Sequence, residues 1–234
     1  MALIYKNYQA KNTAMKLIVN NPTLVDQVYS AILSEITKGV IPPGERIIQE
    51  MIAKDLGVSR QPVQQALLLL RNQGILQDAP GRGLVVAPLE SEYVHHMYDI
   101  RAVLEGLACK SAALNNSKRA KKEGPSFIKE GLKAVKKNDV SQLIEADHRF
   151  HQFIYELSDN TMIAPLMDAQ WTSTQRIMGE GLLIDQQPSE IWNQHAEILD
   201  AIISGDGDLA EKIARQHIDR AAGYVVERLV NNKQ

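Results

Sequence analysis

The sequence predicts a mainly α-helical chain in two parts, a small N-terminal head that closes on one β-hairpin and a larger all-helical body. Three observations carry this reading. Val40–Leu89 strings together a helix, a glycine break, a second helix and two apolar runs flanking a tight turn. After Pro88 the apolar residues recur at three- and four-residue spacing. Charge is divided as well: residues 1–82 carry nine Lys/Arg against six Asp/Glu and residues 83–234 carry seventeen against twenty-two, while the whole chain is only −2. A cationic head on an acidic body suits a head that faces a polyanion such as DNA.

In order, residues 1–21 hold Lys6, Lys11 and Lys16 without a period and read as a loose arm. The first helix runs from a Thr23 cap to about Lys38 and ends at Gly39, with Val25, Val28, Tyr29, Ile32 and Ile36 on its packing face. Gln49–Leu56 is a second helix broken at Gly57. Ser59 then stands as N-cap to a third, with Pro62 in its first turn and Val63, Ala66, Leu67 and Leu70 on one face. Gly74 ends that helix, and Ile75–Gln77 and Leu84–Ala87 flank Pro80-Gly81-Arg82-Gly83 as the arms of a hairpin. This order is that of a winged helix-turn-helix over residues 22–89, whose last helix fits the major groove of DNA. Pro88–Ser91 is a hinge. Beyond it about six amphipathic helices are expected, over 91–114, 118–136, 140–158, 161–182, 188–204 and 207–230.

The head resembles the DNA-binding domain of GntR-type bacterial regulators: Pro43-Gly44-Glu45-Arg46-Ile47, then Leu56-Gly57-Val58-Ser59-Arg60-Gln61-Pro62-Val63, then the wing. Gln64-Gln65 stands where that family usually has Arg-Glu, so its usual operator preference is not carried over. The body is similar to the FCD effector domain of the FadR branch, which implies an antiparallel helical bundle over residues 90–234. Six helices rather than seven would place it nearer the VanR subgroup.

Polar residues on apolar helix faces mark the candidate site. Asp147 falls within the stripe formed by Leu143, Ile144, Phe150, Phe153, Ile154 and Leu157, with His151 on its flank and His148 turned toward solvent. His195 sits amid Ile191, Ile198, Leu199 and Ile202, and His217 between Ile213, Ala214, Ala221 and Tyr224. Each alone reads as a core histidine bonded to a carbonyl. Together, three inward imidazoles and a carboxylate call for a common partner, and a divalent transition metal supplies one: zinc first, with nickel, manganese or iron also suited. The FCD resemblance, through Asp147-His148-Arg149-Phe150-His151 and a histidine on each of two later helices, implies Asp147, His151, His195 and His217 as ligands.

Positions left open on such an ion would take a carboxylate. Arg101, on the flank of a face formed by Tyr93, Met97, Ile100 and Leu104, is the expected second anchor; the alternative is a surface pair with Glu105 or Asp99. Tyr155, Arg176, Asn193 and Gln216 are further candidates for the effector cavity. On the DNA side Arg60 and Arg82 lead, followed by Ser59, Gln61, Gln64 and Gln65, with Arg46 either on a phosphate or facing water.

These residues lead to a ligand-responsive transcription regulator, expected to be a repressor that binds a palindromic operator as a homodimer and leaves it on binding a small carboxylate. It is not expected to be an enzyme: there is no His-Glu-x-x-His, and the three ligand-bearing helices show no spare inward carboxylate as general base. The rival readings are a metal-dependent hydrolase on a DNA-binding head and a constitutive DNA-binding dimer. Cys109, the single cysteine, reads as a buried inert thiol. Leu17-Ile18-Val19 is too short for a leader, and no apolar run nears the roughly 20 residues of a membrane span. A cytoplasmic location is therefore expected.

Overall fold

The computed structural model describes residues 22–182 and 188–231. The expected arm, 1–21, lies outside them, as does most of the expected break at Gln186–Pro188.

In the head, α1 (Leu24–Thr37) starts in a reciprocal cap: the Asp26 amide donates to Thr23 Oγ1 and the Thr23 amide to the Asp26 carboxylate. Its Val28, Ile32, Leu33 and Ile36 share one buried cluster with Val63, Ala66, Leu67 and Leu70 of α3 (Arg60–Asn72). Between them, α2 (Gln49–Asp55) ends at Gly57, whose φ of 65° is the left-handed turn a glycine permits cheaply. Ser59 occupies the N-cap position of α3 with extended backbone, but its side chain makes no cap hydrogen bond. Strands β2 (Leu76–Asp78) and β3 (Leu84–Val86) form the wing, with Leu76 opposite Val86. A two-residue β1 (Arg46–Ile47) pairs with the other edge of β3, giving the order β1-β3-β2. So short a strand has no period to read, and it was not anticipated.

The body begins with α4 (Ser91–Lys137), interrupted at Asn116, where φ −135° and ψ 29° break the helical path. The Asn115 and Asn116 amides donate to the carbonyls of Ser158 and Leu157, which ties this kink to the end of α5 (Val140–Leu157). The breaks expected at Asn138-Asp139, Asp159-Asn160 and Gly205–Gly207 are present: Asn138, Asp159 and Gly205 are left-handed, and Asp139 caps α5. The single helix expected over 161–182 is instead α6 (Ile163–Asp168) and α7 (Trp171–Leu182). The turn between them sends Ile163 into the core and brings Met167, Trp171 and Thr174 to a cavity wall. Counting both parts of α4, the described body has seven helical segments rather than six, completed by α8 (Pro188–Ser204) and α9 (Gly207–Asn231).

The expected buried face of α4 is corrected too. Tyr93 and Ile100 are exposed, whereas Val94, Tyr98, Arg101, Ala102, Glu105, Ala108, Cys109 and Ala112 are buried with Met97. Large side chains suggested the stripe, but α4 is packed through its small ones, which allow α5, α8 and α9 to lie close. Cys109 is buried as expected, and burial pushes its thiol up. Among the described residues no helix is long and apolar enough to cross a membrane.

Candidate metal centre and DNA-facing surface

Helices α5, α8 and α9 each deliver one histidine to a common point. His151, His195 and His217 are all buried, and one nitrogen from each lies within 4.8 Å of the others. His195 Nε2 is 3.2 Å from His217 Nε2 and 3.4 Å from Asp147 Oδ1; His151 Nε2 is 3.9 Å from Asp147 Oδ2. The three histidines therefore converge, and Asp147 lies beside two of them, His195 and His151. His148 does not join them. It is half-buried rather than turned to solvent, its ring stacked on Trp171 with centroids 3.8 Å apart.

Neighbours fix which nitrogens face inward. His151 Nδ1 is 2.9 Å from Glu105 Oε2, and His217 Nδ1 is 2.8 Å from Gln194 Oε1. Both partners accept, so each Nδ1 is the donor and each Nε2 of the neutral ring presents a lone pair to the centre. His151 Nε2 is buried without a hydrogen-bond partner. Donors sharing a transition-metal ion at about 2.1 Å stand roughly 3–3.4 Å apart, which the His195 spacings match. An orphaned inward nitrogen, three convergent imidazoles and a carboxylate thus fit a divalent ion.

The electrostatics agree. Burial, then the neighbouring His217 and His151, hold His195 well below its ordinary range; burial, then His151 and Arg101, bring His217 down to about 3. Both therefore stay neutral and able to ligate at ordinary pH. Burial also lowers His151, but Glu105 and then Asp147 outweigh it and leave that ring above its ordinary value. Burial raises Asp147. It acts upward on Glu105 as well, yet His151, Arg101 and Tyr155 bring that carboxyl down to about 2.

Glu105 is the functional residue that sequence reasoning missed. It is 1% exposed, and besides His151 it accepts from Tyr155 Oη at 2.6 Å and Arg101 Nη2 at 3.3 Å. The alternative weighed for Arg101, a surface pair with Glu105, is present as a buried pair instead. The signal was available: Glu105 lies four residues from Arg101 and falls on the same face once α4 is turned to bury Ala102 and Ala108. Held by three donors, the Glu105 carboxylate is placed to orient the His151 ring.

Arg101, Asp147, His148, His151, Tyr155, Trp171 and Thr174 are among the residues around a cavity of about 10 Å³, room for one water. Arg101 and Tyr155 thus stand where expected, in the wall. Three expectations are corrected. Asn193 and Gln216 are exposed, because 100° per residue carries them off the faces that hold His195 and His217. Arg176 is buried elsewhere, donating to the Ala87 carbonyl at the hinge.

The model of the gntR family of bacterial regulatory proteins matches residues 24–86, and that of the FCD domain matches residues 96–220. The chain belongs to the GntR family and carries an FCD domain. It is 24% identical to the HTH-type transcriptional repressor RspR of Escherichia coli K12 over 207 residues, 88% of this chain and 91% of RspR. It is 29% identical to a probable D-xylose utilization operon transcriptional repressor of Paenarthrobacter nicotinovorans over 197 residues, 84% and 86% of the two chains. The structure of E. coli McbR/YncC shares the fold at a TM-score of 0.71 and 22% identity, covering 88% of this chain and 98% of that one. The protein is a ligand-responsive DNA-binding transcription regulator of the FadR-like branch. Such regulators are not enzymes, FCD domains often bind metal, and His151, His195 and His217 form a triad that could hold one.

On this GntR head, Ser59, Arg60, Gln61, Gln64 and Gln65 are exposed along the start of α3, and Arg82 is exposed at the wing tip. A cleft of about 520 Å³ between Gln49, Gln64, Gln65, Arg71 and the wing residues Asp78, Gly83 and Leu84 lies on the same side. Arg60 holds Glu50 at 2.7 Å, an exposed pair that costs little to open. Arg46 has a different task from the one expected. Its guanidinium donates to the carbonyls of Arg82, at 2.8 Å, and Pro80, so it braces the wing turn from β1.

Proposed function

We propose that the protein is a repressor, held on a palindromic operator as a homodimer and released by a small carboxylate that enters the cavity beside the four-residue metal centre. The carrying observation is the convergence of His151, His195 and His217 on one buried point, with Asp147 against His195 and His151 and the Arg101 guanidinium in the adjoining wall. Zinc is the proposed ion, and when bound it would supply an open coordination position to a carboxylate. Arg101 Nε, buried and without a hydrogen-bond partner, is a second anchor. Arg60 and Arg82 are the proposed specific contacts to DNA, with Ser59, Gln61, Gln64 and Gln65 beside them. The repressor sense follows the names of RspR and the D-xylose operon protein. Acting on genomic DNA places the protein in the cytoplasm.

Two finer assignments belong to the same proposal. The chain divides into residues 22–89 and 90–234, supported by the separate buried clusters of head and body, although Leu89 packs with the body. The VanR subgroup is not part of it, because it rested on six helices and the described body has seven segments. Dimerisation is supported by the outer face of α4, where Tyr93 (49%), Ile100 (52%), Leu107 (41%) and Leu114 (65%) are exposed at seven-residue spacing, with Val103 between them. Exposed Glu92 and Asp99 lie in the first half of that stripe and exposed Lys118 in the second, while Lys110 is bridged within the chain to Asp208 and Glu211. Antiparallel pairing of two copies brings the acidic end of one stripe toward Lys118 of the other.

The test is to capture genomic fragments with the purified full chain, sequence them, and titrate the recovered operator complex with a panel of carboxylates, before and after chelation. Release by an acid that requires the metal supports the reading. An operator affinity unmoved by every acid favours the constitutive dimer instead.

A further inference from the structure

One helix touches both the cavity and the head. On α7, Thr172, Arg176 and Gly179 form a single stripe at i, i+4, i+7, and each meets the head or its hinge. Thr172 Oγ1 is 2.9 Å from Tyr29 Oη of α1. Arg176 donates to the Ala87 carbonyl. Gly179 lies so close to the backbone carbonyl of Thr37 that any Cβ would collide with it. Roughly 100–160° around the helix from that stripe, Trp171 and Thr174 face the cavity, with Trp171 stacked on His148. A third face buries Ile177 against Met97, Tyr98 and Ile218. The path continues beyond Tyr29, whose hydroxyl donates at 2.6 Å to Gln73, the C-cap of the reading helix α3.

We propose that α7 transmits cavity occupancy to the reading helix: a ligand that enters displaces Trp171 from His148, and α7 carries that displacement through Tyr29 to Gln73. This rests on reading the cavity as the ligand site. With room for only about one water, the cavity cannot accept a carboxylate metabolite unless part of its wall moves. Trp171 is a half-buried part of that wall, set at the very start of α7. Packed helices shift as units, so a displaced Trp171 is felt along the Thr172–Gly179 stripe.

The test uses the full chain without metal, ligand or DNA, and reads amide hydrogen exchange peptide by peptide. Trp171→Ala is expected to accelerate exchange at the end of α1 and at the α3 C-cap by roughly fivefold or more, the lower end of ordinary coupling between sites. Trp171→Phe, which keeps a ring on His148, restores the wild-type pattern. Phe127→Ala is the control, because Phe127 stacks on Phe153 away from α7; it loosens the body without touching the head. Read in reverse, Gly179→Ala displaces the head contact and is expected to alter exchange around Asp147–Tyr155. Combined with Trp171→Ala, it gives less than the sum of the two single effects in the head, since both act through one contact. Unchanged head exchange in Trp171→Ala, equal head loosening in Phe127→Ala, or additive single effects would each overturn the proposal. An operator that ignores every carboxylate sinks the repressor mechanism and leaves these measurements standing. Release by a carboxylate with unchanged head exchange in Trp171→Ala sinks α7 alone.

Discussion

Glu105 shows what a polar residue in a helical core can do without being a ligand. It accepts a hydrogen bond from His151 Nδ1, which leaves Nε2 to face the side of Asp147, His195 and His217. Glu105→Gln should keep the fold and lower metal affinity by about 10–100-fold, the usual cost of an outer-shell partner, as measured by competition with a chromogenic chelator. His148→Ala should keep the metal, because His148 stacks on Trp171 outside the donor set; equal loss in both variants would refute the assignment. The depressed histidines also fix a pH dependence. His195 and His217 sit below their ordinary 6.5, His217 at about 3, so the unfolded chain binds their protons first. Their contribution is present above pH 6.5 and lost as pH falls toward 3, while His151 and Asp147, displaced upward, act in the opposite sense. The two strongly depressed rings dominate, so thermal melts of metal-free protein should drop between pH 7 and pH 5, with metal affinity falling over the same window. The three convergent histidines and Asp147 were legible because each was polar on an apolar face. Glu105 was not, because the bulk of Tyr93 and Ile100 drew the stripe onto the wrong side of α4.

Elements were legible where a cap or a period marked them. Thr23, Gly57, Gly74, Asn138 and Asp159 all fall where helices turn, and the apolar face of α3 is the buried one. What escaped were features with no period of their own: the two residues of β1, the separation of α6 from α7, and the partner of Arg46. On α3 the consequence is testable. Arg60→Ala should weaken specific operator binding by about 1–3 kcal/mol at fixed salt, with fold and metal content unchanged. Glu50 holds the same guanidinium at 2.7 Å and is itself an anion beside the DNA-facing surface. Glu50→Ala should therefore raise operator affinity, and more so at low salt, where charge is least screened. A Glu50→Ala protein that binds more weakly than wild type would mean that the pair presents Arg60 rather than competing for it.

At the scale of the whole molecule, the proposed operator binding depends on a face of the body as well as on the head. A winged head reading one half-site binds modestly, and two heads fixed on a dimer gain by making the second contact intramolecular. The outer stripe of α4 is a surface on which two copies can fasten, because Tyr93, Ile100, Leu107 and Leu114 expose apolar area that a lone chain leaves in water. An isologous contact repeats each substitution on both sides of the two-fold axis, so one substitution buries two charges in the interface, each against an apolar side chain of the other copy. Ile100→Asp or Leu107→Asp should therefore convert the protein from dimer to monomer in sedimentation, with little change in the melting of the metal-loaded body, since both side chains already face solvent in the single chain. Operator affinity should fall by roughly 100-fold or more as the second head is lost, whereas binding to a single half-site should be unchanged. The two readouts separate the explanations. A monomer that keeps full operator affinity would remove the dimer from the mechanism, and a dimer that survives both substitutions would move the interface to another face of the body.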